Sequence, residues 1–382
     1  EHPERTGFAH FFEHLLFEGT QNIARGEWFK IVTANGGTNN ANTTDDRTYY
    51  YEVFPSNNLQ MGLWMESERL VHPVINQIGV DTQNEVVKEE KRLRVDNQPY
   101  GNLLLAIKQN LFKKHPYRWA TIGSMEHLDA ATLQEFQDFN TKFYSPNNAV
   151  LVVAGDFEFE QANKWIKDYF GSIPRGPEVK RETYVEDPIT EQFKTTWEDP
   201  NIQIPMMIAA YRTPSMKTRD ARILDMISTY LSGGKSSVLY KKIVDTQKKA
   251  LEIGAFSYSQ EDYGSYIIYG LPMGENTLED LLAEVDVEIA KMQKDLISER
   301  DFQKLQNIYE NQYVSANSNI EGIAHSLAEY YLLYGDVNLI NTEIEIYRSI
   351  TREEMREVAK KYLNPNQRIV VDYLPAKEAS QN

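Results

Sequence analysis

The stretch Gly7-Phe8-Ala9-His10-Phe11-Phe12-Glu13-His14-Leu15-Leu16-Phe17-Glu18-Gly19-Thr20 decides how this chain is read. Nothing between Phe8 and Glu18 breaks a helix, and apolar residues predominate, so the pattern predicts a helix there. On it His10 and His14 stand one turn apart on one face, and at about 100° per residue Glu13 lies about 60° to the side of His10. Two imidazoles at i and i+4 can share one zinc ion, and a carboxylate beside them can take a proton from an attacking water. The surrounding Phe and Leu side chains supply a dry wall. The bland alternative is a set of polar side chains satisfied inside an apolar helix. With only 7 His in 382 residues, a chance match to His-x-x-Glu-His is on the order of one in a hundred.

A zinc ion held by two His takes a third protein ligand, and two His with one Glu is an established catalytic set. The charged segment Asp81–Val95 reads as a long helix carrying Glu85, Glu89 and Glu90. A charge run of this kind is ordinarily a solvated face laced with ion pairs. Spacing along the helix leaves all three carboxylates as candidates.

A chain of 382 residues is long enough for two or three domains with sizeable cores. No apolar run approaches the ~20 residues of a membrane helix, so no membrane span is expected. The net charge of −16 argues against a nucleic-acid binder. The absence of cysteine removes disulfides, a thiol nucleophile and Cys-ligated metals, and is compatible with a bacterial periplasm. The abrupt opening at Glu1 reads as a mature or truncated start.

Further along, Gly26–Val32 reads as helix, Asn35–Asn40 as a turn, and Ala41–Phe54, rich in Thr and Tyr, as strand. Asn58–His72, Thr132–Tyr144 and Gln161–Phe170 have helical spacing, and Ala149–Asp156 reads as a buried strand. Residues from about 171 to 190 carry Gly, Pro and charge without period and read as a linker. The second half then repeats the ending of the first. Thr351–Tyr362, Leu363–Gln367 and Arg368–Val371 echo Thr132–Val152, and 365 − 146 and 351 − 132 both equal 219. A shared offset over a helix–turn–strand unit predicts two related domains in tandem, 1–180 and 190–382. At the corresponding early position, Ile223–Leu231 contains no His-x-x-Glu-His, so the second copy is expected to be metal-free. Gly234-Lys235-Ser236 lacks the earlier Gly of a phosphate-binding loop, that place being Thr229.

These residues resemble the pitrilysin/insulysin-type zinc metallopeptidases, the inverzincins of the His-x-x-Glu-His order, in their bacterial and mitochondrial-processing-peptidase-like branch. The resemblance covers nearly the whole chain. It rests on Arg5-Thr6-Gly7 with His10–Thr20, on Asn40-Ala41-Asn42-Thr43 with Thr48 and Tyr49, on Pro146–Asp156, and on Pro214–Leu239. It implies an α+β fold, an α/β sandwich of two tandem homologous domains. Each would be a mainly antiparallel sheet covered by helices, and together they would form half of a clam-shell chamber. The family has a strand before Arg5-Thr6-Gly7, which this chain lacks.

The resemblance places the third ligand about 76 residues after the second His, and 90 − 14 = 76 selects Glu90; a one-residue shift would select Glu89. It implies one Zn²⁺ per chain on His10, His14 and Glu90, Glu13 as general base, and peptide binding along Asn40, Ala41, Asn42 and Thr43. The family's supporting Glu seven residues before the ligand is Gln83 here. Its substrate-contacting Arg and Tyr, spaced Arg-x6-Tyr, fall on Val244 and Leu251, which cannot donate a hydrogen bond. The expected function is therefore a zinc endopeptidase acting on peptides or unfolded segments, completed by a dissimilar homologous subunit that supplies Arg and Tyr, rather than by a homodimer. The rival is a non-catalytic peptide-binding or scaffold subunit.

Overall fold

The helical patterns of the sequence find their elements along the chain. The structure, a computed structural model, describes residues 1–376. The first half contains α1 (Phe8–Leu15), α2 (Trp28–Ala34), β1 (Thr38–Thr43), β2 (Thr48–Val53), α3 (Leu59–Val71), α4 (Gln77–Lys91), α5 (Leu103–Leu111), α6 (Met125–Ala130), α7 (Leu133–Phe143) and α8 (Phe159–Phe170). The second half contains β3 (Phe193–Asp199), β4 (Met206–Pro214), α9 (Arg219–Ser232), β5 (Ala250–Ser259), β6 (Tyr263–Pro272), α10 (Leu278–Lys294), α11 (Glu299–Ala316), α12 (Ile320–Glu329), α13 (Leu339–Ser349), α14 (Arg352–Tyr362) and β7 (Arg368–Pro375). Among the described residues no helix is long and apolar enough to cross a membrane.

The internal repeat is legible in single side chains. Thr132 and Thr351 each close a capping box, with Glu135 and Glu354. Those glutamates also accept from an arginine at the start of an earlier segment: Arg5 Nε to Glu135 at 2.8 Å, Arg219 Nε to Glu354 at 2.7 Å. The fold is α+β and built twice.

The two compact units are not the contiguous halves 1–180 and 190–382. One comprises Glu1–Leu93, Trp119–Thr183 and Asn317–Val337; the other comprises Arg94–Arg118, Tyr184–Ala316 and the residues from Asn338 on. Subtracting the repeat offset, 317 − 219 = 98 and 337 − 219 = 118, so the exchanged segments are counterparts. For 94–118 the cause is apolar surface. In the second unit Ala106, Ile107 and Leu111 of α5 cover Ile208, Ala210, Ile267 and Val371 on one sheet face, while α9, α10 and α14 cover the other with Leu224, Ile227, Leu281 and Met355. A sheet that is apolar on both faces needs cover on both.

That sheet runs β3-β7-β4-β6-β5, antiparallel except for the parallel pair β3–β7. The first unit has a two-stranded sheet, β1 with β2. Three expectations are corrected here. The stretch 41–54 is a hairpin, not one strand: Thr38–Thr43 pairs antiparallel with Thr48–Val53 around a turn at 44–47, so half of the expected turn at 35–40 is strand. Residues 149–156 are not a buried strand; they form no ladder, and Leu151 is 44% exposed. In the second unit β7, which follows the same helix and turn, lies between β3 and β4 and is paired on both sides; residues 149–156 have no such partner among the described residues. Extended backbone becomes strand only when a neighbour takes its hydrogen bonds. Finally, α1 ends at Leu15 rather than running on to Glu18.

Candidate metal centre

The first helix is set in place from both ends. Its apolar face, Phe8, Phe11, Phe12 and Leu15, is buried. Phe8 and Phe11 stack on Phe136 with centroids 4.7 and 4.6 Å away, and Phe12 meets Phe139 and Tyr144 at 5.3 and 4.6 Å. At the N-terminus, Gly7 takes φ +88°, and a Cβ there would lie 2.6 Å from the Ile122 carbonyl oxygen. Gly123, at φ +78°, faces it, with its own hypothetical Cβ 2.3 Å from the Thr6 carbonyl oxygen. Two glycines thus let two backbones touch. The Thr6 amide donates to His127 Nδ1 at 3.2 Å, and the Ser124 amide donates to Thr6 Oγ1 at 3.3 Å. At the other end the buried Arg69 donates to the Leu16 carbonyl at 3.1 Å.

The opposite face carries His10 and His14, their rings 4.9 Å apart and nearly perpendicular. Helix α4 lies alongside. Asn76 caps its N-terminus by accepting from the Gly79 amide, and Val80 and Val87 join the same core as α1. Glu90, one turn beyond Val87, emerges on that face. Its Oε2 is 3.5 Å from His10 Nε2 and 3.2 Å from His14 Nε2, with the three side chains 17%, 14% and 24% exposed. Glu89 points elsewhere, 56% exposed and paired with Arg92 at 3.2 Å; Glu85 is 71% exposed and paired with Lys88 at 2.8 Å.

These distances suit a metal. Ligand bonds of about 2.0–2.1 Å arranged tetrahedrally put the ligand atoms about 3.4 Å apart. Two neutral imidazoles and one carboxylate form a donor set suited to Zn²⁺. Among the described residues this is the group of His, Asp and Glu whose ligand atoms lie within 4.8 Å of one another.

Glu13 is buried at 8% exposure. Burial, above all, raises its pKa, and the nearby Glu90 adds to this; a hydrogen bond from Thr43 and the charge of His14 oppose it. The Thr43 hydroxyl donates to Glu13 Oε2 at 2.5 Å and shares a 3.1 Å hydrogen bond with Thr48 across the hairpin. Asn40 and Asn42 are exposed, whereas Ala41 and Thr43 are half-buried on the inner face of the hairpin. Gln83 does not stand free in place of a carboxylate; its amide donates to Glu18. Val244 packs against the core of the second unit, and Leu251 is 50% exposed. Thr48, which meets Thr43 behind Glu13, is not among the site residues that the sequence marks. The alternation of β2, which puts Thr48, Tyr50 and Glu52 on one face, was the available signal.

The pattern described as Insulinase (Peptidase family M16) matches residues 1–124, and that described as Peptidase M16 inactive domain matches residues 130–309. The chain is 28% identical over 375 residues to the zinc protease PqqE of Helicobacter pylori, covering 97% of this chain and 84% of that one. It is 24% identical over 361 residues to an uncharacterized zinc protease of Mycobacterium leprae, covering 94% and 80%. The crystal structure of a protease from Helicobacter pylori superposes with a TM-score of 0.91 at 26% identity, over 98% of this chain and 90% of the other.

Proposed function

The chain belongs to the M16, or insulinase-type, peptidase family, and from that premise we propose that it is a zinc-dependent endopeptidase hydrolysing peptides or unfolded polypeptide segments. The observation that carries this reading is the convergence of His10 Nε2, His14 Nε2 and Glu90 Oε2 beside the buried Glu13. Bound there, zinc supplies a water of pKa about 7 and polarises the scissile carbonyl. Glu13 takes the proton of the attacking water on Oε1, the oxygen that Thr43 leaves open, and hands it to the leaving amine.

In this reading the peptide adds as a strand to the edge of β1 that β2 does not occupy, along Asn40–Asn42. Backbone pairing gives affinity with little sequence preference. Val244 and Leu251 offer no donor for the developing oxyanion, so a dissimilar homologous subunit contributes an Arg and a Tyr and closes a chamber around the substrate. The same two residues favour one alternative, a subunit that binds peptides without turning them over.

The test is cleavage of an unstructured quenched peptide by the zinc-loaded chain, alone and with a homologous subunit carrying Arg-x6-Tyr. Cleavage only with the partner supports the split site. Cleavage by the chain alone removes the need for a dissimilar partner, and zinc binding without cleavage in either case favours the peptide-binding alternative. Glu13→Gln is expected to abolish turnover with zinc content unchanged; a variant that still cleaves would remove Glu13 from its role.

A further inference from the structure

Arg47, the residue before β2, is a half-buried cation without an ion pair. Its side chain donates once, from Nη1 to Asn42 Oδ1 at 2.6 Å, and its guanidinium lies over the Tyr49 ring, 5.2 Å from the centroid. Tyr49 is backed in turn by the Tyr51 ring at 5.6 Å and by the His325 ring of α12 at 4.9 Å. Among the described residues no carboxylate comes within ion-pair distance of Arg47, and Glu329, whose charge acts on the same guanidinium, is taken by His325 at 2.9 Å. A guanidinium is always charged and has five N–H donors, of which Asn42 uses one.

The hairpin register decides what this group can reach. The Thr44 amide donates to the Arg47 carbonyl at 2.8 Å, which makes 44 and 47 a hydrogen-bonded pair. Such pairs alternate along an antiparallel ladder. Asn42, opposite Tyr49, therefore spends its backbone groups on β2, while Ala41 and Thr43 turn theirs to the open edge of β1. In keeping with this, the Ala41 amide donates to the Asn40 side chain at 2.9 Å. Side chains alternate as well: Thr43 reaches Glu13 on one face, and Asn42 reaches Arg47 on the other.

A peptide laid antiparallel on that edge is bonded by Ala41 and Thr43. Its residue opposite Asn42 then forms a non-hydrogen-bonded pair, the kind whose side chains come closest, with Cβ atoms about 4.5–5.5 Å apart. That side chain lies on the Arg47 face, and its two neighbours lie on the Glu13 face. We propose that Arg47 is a specificity-determining residue whose guanidinium takes the carboxylate of an acidic peptide side chain opposite Asn42. The peptide preferred thus carries Asp or Glu at one place beside the residues that face Glu13. The proposal deepens the peptidase reading and rests on its strand-addition pose. Asn42 and the Tyr49 ring hold the guanidinium in place, so its unused edge can meet a carboxylate with two donors.

The experiment uses the zinc-loaded protein with the homologous subunit carrying Arg-x6-Tyr. Its substrates are unstructured quenched peptides with amidated C-termini, in which a single Glu, Gln or Lys is moved residue by residue; a second set ends in free acids. The parent is expected to cleave the Glu peptide about 5- to 10-fold faster than the Gln peptide at one position. In Arg47→Gln that preference falls below about twofold while the Gln peptide is cleaved at the parental rate, and Arg47→Glu shifts the preference to Lys at the same position. No Glu preference in the parent, or one that survives in Arg47→Gln, would overturn the proposal. A preference confined to peptides with free C-termini would assign the carboxylate to the chain end and overturn the side-chain assignment.

Binding separates this subsite from turnover. Zinc-loaded Glu13→Gln and Glu13→Gln/Arg47→Gln are titrated with the same peptides and Kd is read by fluorescence anisotropy. A Glu preference in Kd that disappears with Arg47 supports the subsite even if the parent cleaves nothing, in which case the peptidase reading alone fails. Cleavage with equal rates and equal Kd for Glu and Gln refutes the role of Arg47 alone, and neither binding nor cleavage of any peptide refutes both.

Discussion

Replacing Arg69 by methionine should weaken the first unit and loosen the metal helix with it. The guanidinium is 4% exposed and makes two parallel bonds to Glu66, at 2.9 and 3.1 Å. It lies 3.6 Å from Glu52, itself 4% exposed, and donates to the Leu16 carbonyl just past the end of α1. Its carbon stands 4.0 Å from the centre of the Trp28 ring and 4.6 Å from those of Phe17 and Tyr50. Methionine fills the aromatic cage and keeps the apolar contacts, so the loss is confined to the polar side. Removing one member of a buried ion pair costs about 3–5 kcal/mol, and the stranded Leu16 carbonyl adds about 1 kcal/mol or more. Some of this is recovered because Glu52 can stay protonated, which leaves a net cost of about 3–5 kcal/mol. At roughly 2–4 °C per kcal/mol for a unit of this size, the melting temperature falls by about 10 °C. Calorimetry of the metal-free protein measures this directly, and competition with a zinc chelator measures the weakened site. A fall of less than about 2 °C would mean that the cluster is no better than its hydrophobic replacement, an outcome known for other buried ion pairs, and the account of how α1 is held at its C-terminal end would fail.

Three further outcomes follow from other parts of the structure. Glu90→Gln should lower zinc affinity at least 100-fold, whereas Glu89→Gln, whose carboxylate pairs with Arg92 in solvent, should leave it within about twofold; equilibrium dialysis separates the two, and the reverse order would reassign the ligand. Burial, with the neighbouring Glu66, raises the Glu52 pKa from 4.5 to about 8. The folded protein therefore holds an extra proton between those values, and the stability it confers is complete below about pH 4.5 and lost as the pH rises through about 8. Urea titrations of Glu52→Gln should accordingly lose less stability between pH 5 and pH 9 than the parent, and an equal or steeper loss would contradict the shift. Gly7→Ala, forced into φ +88° with its Cβ 2.6 Å from the Ile122 oxygen, should cost about 3 kcal/mol or more, and a normal melting temperature would show that this backbone contact is not tight.

The candidate metal centre was legible in the first helix because its geometry is local. His10, Glu13 and His14 belong to one turn, and helical spacing alone brings them together. Glu90 needed the partner helix. Its choice over Glu89 was nonetheless within reach, since Val80 and Val87 mark the buried side of α4 and Glu90 lies within about 60° of that side while Glu89 lies on the other. The repeat was equally legible, because Thr132 and Thr351 cap their helices through neighbours three residues on.

What the sequence could not carry was pairing at a distance. The run Ala149–Asp156 has the composition of β7, yet composition does not provide a neighbour, and without one the stretch forms no ladder. Nor could the chain order reveal that 94–118 and 317–337 each join the unit of the other half; for 94–118 that depends on which sheet face is left uncovered after folding. Glu13 is bonded by Thr43, which meets Thr48 on the neighbouring strand of the hairpin. Local sequence thus determined the candidate His pair and the carboxylate beside it, which depend on spacing along one helix, and the doubled fold, which shows as a repeated pattern. Only tertiary structure decided the neighbours of Glu90, the exchanged segments and the hydrogen bond from Thr43 to Glu13, because each requires surfaces from distant parts of the chain to meet.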